Sequence, residues 1–173
     1  MKSKINVLIA IYEMIGGIVG VCITIYTLFS MFESKYIEIL GLLLDPVMLI
    51  LYVLSIRGGF LLWKGKEKGI GISVIVQIFQ IPYIITSSLV YYFVSGLQIV
   101  VGTIISSNMI KIMATFQLGS LFAVYFENTV KSIELGINII PIVVILYLRR
   151  IKKIAKSNQL EDKNEVANVA DEI

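Results

Sequence analysis

The sequence predicts a membrane all-α bundle of four transmembrane helices, with a small extracytoplasmic antiparallel β region between helices 3 and 4. Three observations carry that expectation. Hydrophobic residues make up 57% of the 173 and charged residues 16%, against about 25% charged in soluble domains. The mean hydropathy is +0.89, more apolar surface than a soluble chain of this size can hide. Finally, four apolar segments alternate with basic clusters in a way that fixes an orientation.

The first segment, 5–32, follows Lys2 and Lys4. It is about twice the length of a signal-peptide core and no A-x-A-like site follows it, so it reads as a retained span. The second, 37–63, is interrupted by Asp45-Pro46. Aspartate caps helices well and proline suits the first helical position, so the helix proper is expected from Pro46. From there to Trp63 is about 27 Å, close to the thickness of a bilayer core. The third segment, 70–93, contains Gln77, Gln80 and Pro82. The fourth, 133–148, contains Asn138 and Pro141.

Lys2 and Lys4 precede the first segment, Lys64, Lys66 and Lys68 separate the second and third, and Arg149, Arg150, Lys152, Lys153 and Lys156 follow the fourth. Basic residues mark the cytoplasmic side, and four spans with both termini inside satisfy every loop. A fifth span over 112–126 would put the last basic cluster outside. That region is rich in β-branched and aromatic residues, so a meander over about 97–126 is expected, with turns at 106–108, 119–120 and 128–129. A re-entrant or interfacial helix is the alternative for 112–126. The division is thus a transmembrane domain over 1–156, including the outer loop 97–128, and a polar, disordered cytoplasmic tail over 157–173.

There is no histidine, and Cys22 is the single cysteine. That removes Cys/His zinc sites, histidine-held haem, disulfide relays and histidine bases. No catalytic, cofactor-binding or metal-ligating set is expected, and the chain reads as non-enzymatic with no nucleic-acid partner. Ionisable residues inside spans are functional candidates. Glu13 lies about 12 Å and Arg57 about 9 Å from the same membrane side, so a buried ion pair between them is expected. A proton or ion relay is the alternative. Asp45, Gln77, Gln80 and Asn138 are candidates for a polar bundle interior. Gly16-x-x-x-Gly20 and Gly58-Gly59 suit close packing of the first two helices. Phe116, Leu118, Phe122, Val124 and Phe126 form the candidate partner surface.

The stretch Trp63-Lys-Gly-Lys-x-x-Gly, then Gln77-x-x-Gln80-Ile-Pro82, Ser95-Gly96, Leu118-Gly119-Ser120 and a final span with Asn138, resembles a group of uncharacterised bacterial four-span integral membrane proteins. The similarity covers roughly the central two-thirds of the chain. It implies a bacterial cytoplasmic membrane and no particular activity. Two functions are expected as alternatives. One is a membrane protein whose outer β-rich loop binds a protein partner or apolar ligand. The other is a small oligomeric transporter or channel using the intramembrane polar residues. The expected partners are the lipid bilayer, a membrane or extracytoplasmic protein, and further copies of the chain.

Overall fold

The computed structural model describes residues 4–33, 39–87, 89–107, 109–125 and 132–171, with backbone alone for 31–33, 39–43, 122–125 and 158–171. The elements are α1 (Lys4–Glu33), α2 (Ile39–Trp63), α3 (Glu67–Phe79), β1 (Pro82–Ile85), β2 (Val90–Ser106), β3 (Met109–Tyr125), β4 (Ile133–Asn138) and α4 (Ile139–Asp171).

This is not a bundle of four spans. Two of the described helices, α1 over Lys4–Ser30 and α2 over Leu44–Trp63, are long and apolar enough to cross a membrane. The other two expected spans each divide into helix and strand. The third is helical only to Phe79 and continues as β1 and β2. Pro82 has no N–H for a further helical turn, and Tyr83-Ile84-Ile85 and Val90-Tyr91-Tyr92-Phe93 suit a pleated surface. The fourth begins as β4, where exposed Ile133, Leu135 and Ile137 alternate with more covered Glu134, Gly136 and Asn138. That period of two is a strand pattern which a hydropathy window averages away.

Smaller expectations shift as well. α2 starts at Ile39 and runs through Pro46 rather than starting there; one helical hydrogen bond is lost amid leucines that favour helix. The tail is helical to Asp171. It holds no glycine or proline after Pro141, and good helix formers such as Leu160, Glu161, Lys163 and Ala167 are frequent. The strand reading of 112–126 applies through Tyr125, but Gly119-Ser120 lies inside β3 rather than at a turn. Ser107 lies in the turn between β2 and β3, and Asn108, Phe126 and Asn128-Thr129 lie outside the described residues.

The sheet is a substantial domain in its own right. Its order is β1-β4-β2-β3, with β1 also paired to β2 and every pairing antiparallel. The register shows how it is rolled. Val90 pairs with Ile85, Ile85 with Glu134, and Glu134 with Ile104. Three strand spacings, about 15 Å, therefore separate Val90 from Ile104, whereas a straight β2 would hold them about 46 Å apart. Three antiparallel steps also make the two halves of β2 run in opposite directions. β2 folds back on itself, and β3 follows it along the whole hairpin.

The fold-back lies at Gly96, whose φ is +109°, directly across from Gly119, whose φ is +131°. Both conformations favour glycine. Tyr12 holds the bend by donating its hydroxyl to the Leu97 carbonyl at 3.2 Å and accepting from Leu97 N–H at 3.4 Å. A Cβ on Gly96 would meet the Tyr12 ring at 2.5 Å, while one on Gly119 meets nothing within 4 Å. Gly119→Ala is therefore expected to cost about 1–2 kcal/mol through backbone strain alone, and Gly96→Ala more. Thermal unfolding of the two purified variants in detergent checks the order.

Two apolar clusters join sheet and helices. Ile9, Ala10, Leu62, Ile70, Val144, Leu148 and Ile151 unite all four helices near the basic turns. Met48, Leu51, Tyr52, Val76 and Phe93 seat β2 on α2 and α3. The glycine expectation for the first two helices holds at Gly20 and Gly59 only, since Gly16 lies against Ser95 of β2 and Gly58 against Ile72 and Ser73 of α3. Gly20 lies against the Tyr52 ring, and a Cβ on Gly59 would come within 2.6 Å of the Ala10 carbonyl.

Candidate functional site

Glu13 is completely buried, yet no cation among the described residues forms an ion pair with it. Ser73 donates to Glu13 Oε2 at 2.5 Å and Gln77 donates to Oε1 at 3.1 Å, both from α3. Ser73 and Gln77 are four residues apart, so one helix face delivers both donors. The Ser55 hydroxyl of α2 donates to the Glu13 carbonyl at 3.0 Å and lies 3.2 Å from Ser95 Oγ of β2. Ser95 N–H donates to Gln80 Oε1 at 3.1 Å. Ser120 of β3 donates to the Gly16 carbonyl at 2.6 Å. A continuous polar seam thus ties α1, α2, α3 and the hairpin bend together.

The expected ion pair does not form. Arg57 is exposed, and the one ion pair among the described residues is Lys152–Glu67, 3.8 Å apart on the surface. The depth match is sound, but the direction is wrong. α2 turns Tyr52, Ser55 and Gly59 toward α1. Arg57, two residues from Ser55, is carried to another side of the helix.

The remaining candidates divide. Gln77 and Gln80 join the seam. Asn138 is buried where β4 becomes α4, and its Oδ1 accepts from Ile99 N–H at 3.1 Å and from Ile140 N–H at 3.3 Å. It acts there as a cap for the start of α4. Asp45 lies about 15 Å along α2 from Ser55 and is not brought to the cluster. The sequence reading missed Tyr12, Ser55, Ser73, Ser95, Gln98 and Ser120. The four-residue spacing of Ser73 and Gln77 was the one available signal; the others depend on the sheet that the reading did not foresee.

Among the described residues, four buried amide atoms have no hydrogen-bond partner: Gln77 Oε1, Gln80 Nε2, Gln98 Nε2 and Asn138 Nδ2. Gln98 and Asn138 share the inner face of the roll with Val100, since Asn138 is registered to Val100. Nearby, Tyr91 donates to the Phe79 carbonyl at 2.8 Å and closes the end of α3.

The outer face of the roll is different in kind. Leu97, Ile99, Val101, Thr103 and Ile105 of β2 share it with Ile110, Ile112, Ala114, Phe116 and Leu118 of β3, and Ile133, Leu135 and Ile137 of β4 continue it. It carries no charge; Lys111 and Glu134 lie on the opposite face. Ile112 keeps 85% of its surface exposed, Leu118 78%, Ile110 73% and Phe116 69%. Phe116 and Leu118 were expected on a partner surface and are placed on this one. Phe122 and Val124 are registered to Phe93 and Tyr91, with their side chains outside the description. Among the described residues β3 pairs with β2 alone, so its other edge is open.

No group of three or more His, Cys, Asp or Glu is gathered among the described residues in a way that would hold a metal ion. Comparison with protein families, with curated proteins and with solved structures finds no match to this chain.

Proposed function

We propose that the chain is a non-enzymatic integral membrane protein that docks a protein partner on the outer face of its β2–β3 hairpin. α1 and α2 serve as the spans. The lysine turn after Trp63 and the basic stretch after Leu148 lie on the cytoplasmic side, with both termini, in a bacterial cytoplasmic membrane. α3 and the apolar start of α4 enter from that side but reach only about 20 Å and 15 Å, short of a 30 Å core. The rolled sheet then fills the outer half beside α1 and α2.

The observation that carries this reading is an uncharged apolar face continuous with an open strand edge. Lipid covers apolar side chains well, but it leaves backbone N–H and C=O groups without partners. A protein strand satisfies both. The test is the double variant Ile112→Glu with Leu118→Glu. Both positions are exposed, so the fold is expected to persist. The assembly recovered in mild detergent is expected to fall to the mass of a single chain. An unchanged assembly would overturn the docking role.

A small oligomeric transporter or channel is the second reading, favoured by the unpartnered amide atoms of Gln77 and Gln80 at the end of α3 and of Gln98 and Asn138 on the inner face of the sheet. Its test is ion or solute flux in proteoliposomes, with Gln80→Leu and Asn138→Leu abolishing it. The closed hydrogen bonding around Glu13 ranks it below docking.

A further inference from the structure

The open edge of β3 is self-complementary. From Ile110 to Leu118 it alternates exposed apolar residues (Ile110, Ile112, Ala114, Phe116, Leu118) with Lys111, Met113, Thr115 and Gln117. An antiparallel pair of identical strands related by a two-fold axis through Ala114 sets Ile110 across from Leu118, Ile112 across from Phe116, and Ala114 across from itself. The most exposed large side chains of the hairpin then meet in cross-strand pairs on one face, each close enough for direct contact. On the other face Lys111 lies opposite Gln117, and the two lysines stay far apart. The remaining pair is Met113 with Thr115. Nothing in the segment opposes this register: there is one charge, no proline and no bulge-forming glycine before Gly119. Beyond Leu118 the strand bends at Gly119, and Ser120 donates to the Gly16 carbonyl of α1.

We infer that the partner is a second copy of this chain, joined edge to edge through residues 110–118 of β3 with the two-fold axis at Ala114. The pairing unites two rolled sheets into one and gives the open edge its backbone hydrogen bonds. Like most homodimer interfaces it is closed, so it ends at two copies and does not propagate. This inference rests on the docking role proposed above and names the occupant of that face.

The test is oxidative and short-spacer thiol cross-linking of the full chain in native membranes, in a Cys22→Ser background. Ala114→Cys alone is expected to shift most of the chain to twice its mass, because facing residues of a pair lie about 5 Å apart. Leu118→Cys alone is expected to stay at monomer mass, because the two-fold axis places its own copies about 26 Å apart. Co-expression of differently tagged Ile110→Cys and Leu118→Cys chains restores a cross-linked species carrying both tags. Stronger self-linking of Leu118→Cys than of Ala114→Cys, or no dimer from any of the three, would overturn the inference. The docking role fails separately, through an assembly mass insensitive to Ile112→Glu with Leu118→Glu.

Discussion

Glu13→Ala is expected to destabilise the protein by about 2–4 kcal/mol, since it opens a cavity and leaves two buried donors unsatisfied. Those donors are Ser73 and Gln77, which reach Glu13 from one face of α3. Glu13→Gln keeps the size and one oxygen acceptor, so less than half of that loss is expected. Arg57 is exposed on another side of α2, and Arg57→Ala should change stability by no more than about 0.5 kcal/mol. Denaturant or thermal unfolding of the three single variants and of Glu13→Ala with Arg57→Ala checks this. Additive effects are expected. An Arg57→Ala loss as large as that of Glu13→Ala, with no further loss in the double variant, would mean that the two charges pair.

The second large effect is expected at Gly20. α1 and α2 approach there so closely that an added Cβ would overlap the Tyr52 ring. Tyr52 has nowhere to retreat. It is buried, its ring lies 5.1 Å from that of Phe93, and its hydroxyl donates to the Val94 carbonyl at 3.2 Å. Gly20→Leu is therefore expected to separate α1 from α2 and lift β2 off the helices. Overpacking of this kind typically costs about 1–3 kcal/mol, and more where backbone must move. Gly71→Leu is the control, because its added Cβ meets nothing within 4 Å. Protease resistance of the hairpin in detergent separates the two, with Gly20→Leu cleaved and Gly71→Leu resistant.

These expectations show which parts of the architecture a sequence can carry. The first two helices were legible because apolar length is a local property, and each ends within about two residues of its apolar segment. The third and fourth segments misled for a physical reason. Hydropathy sums apolar residues without regard to period, and 70–93 and 133–148 each join a half-length helix to a strand. Pro82 and the alternation of Ile133, Leu135 and Ile137 held the missing information. The rolled sheet was less legible still. Its fold-back depends on Gly96 and Gly119 meeting across the hairpin, and on β4 returning between β1 and β2.

The site divides along the same line. Glu13 and Gln77 were named from their rarity inside apolar segments, and the structure brings them together. Arg57 was paired with Glu13 on depth alone, and depth does not fix direction around a helix. Ser55, Ser95 and Ser120 carry no distinguishing pattern. They matter because hairpin and helices meet at the bend, a contact between residues up to 104 positions apart. Phe116 and Leu118 were proposed as a partner surface from composition. Their exposure on an uncharged sheet face supports that proposal.

The docking face is tested most directly by a photoactivatable side chain at Ile112, compared with one at Ile75, exposed on α3 away from the β3 edge, in intact membranes. Illumination is expected to give a discrete protein adduct from position 112 and little or none from 75. Adducts to lipid alone at 112, with the chain otherwise at monomer mass, would contradict a docking role for this face.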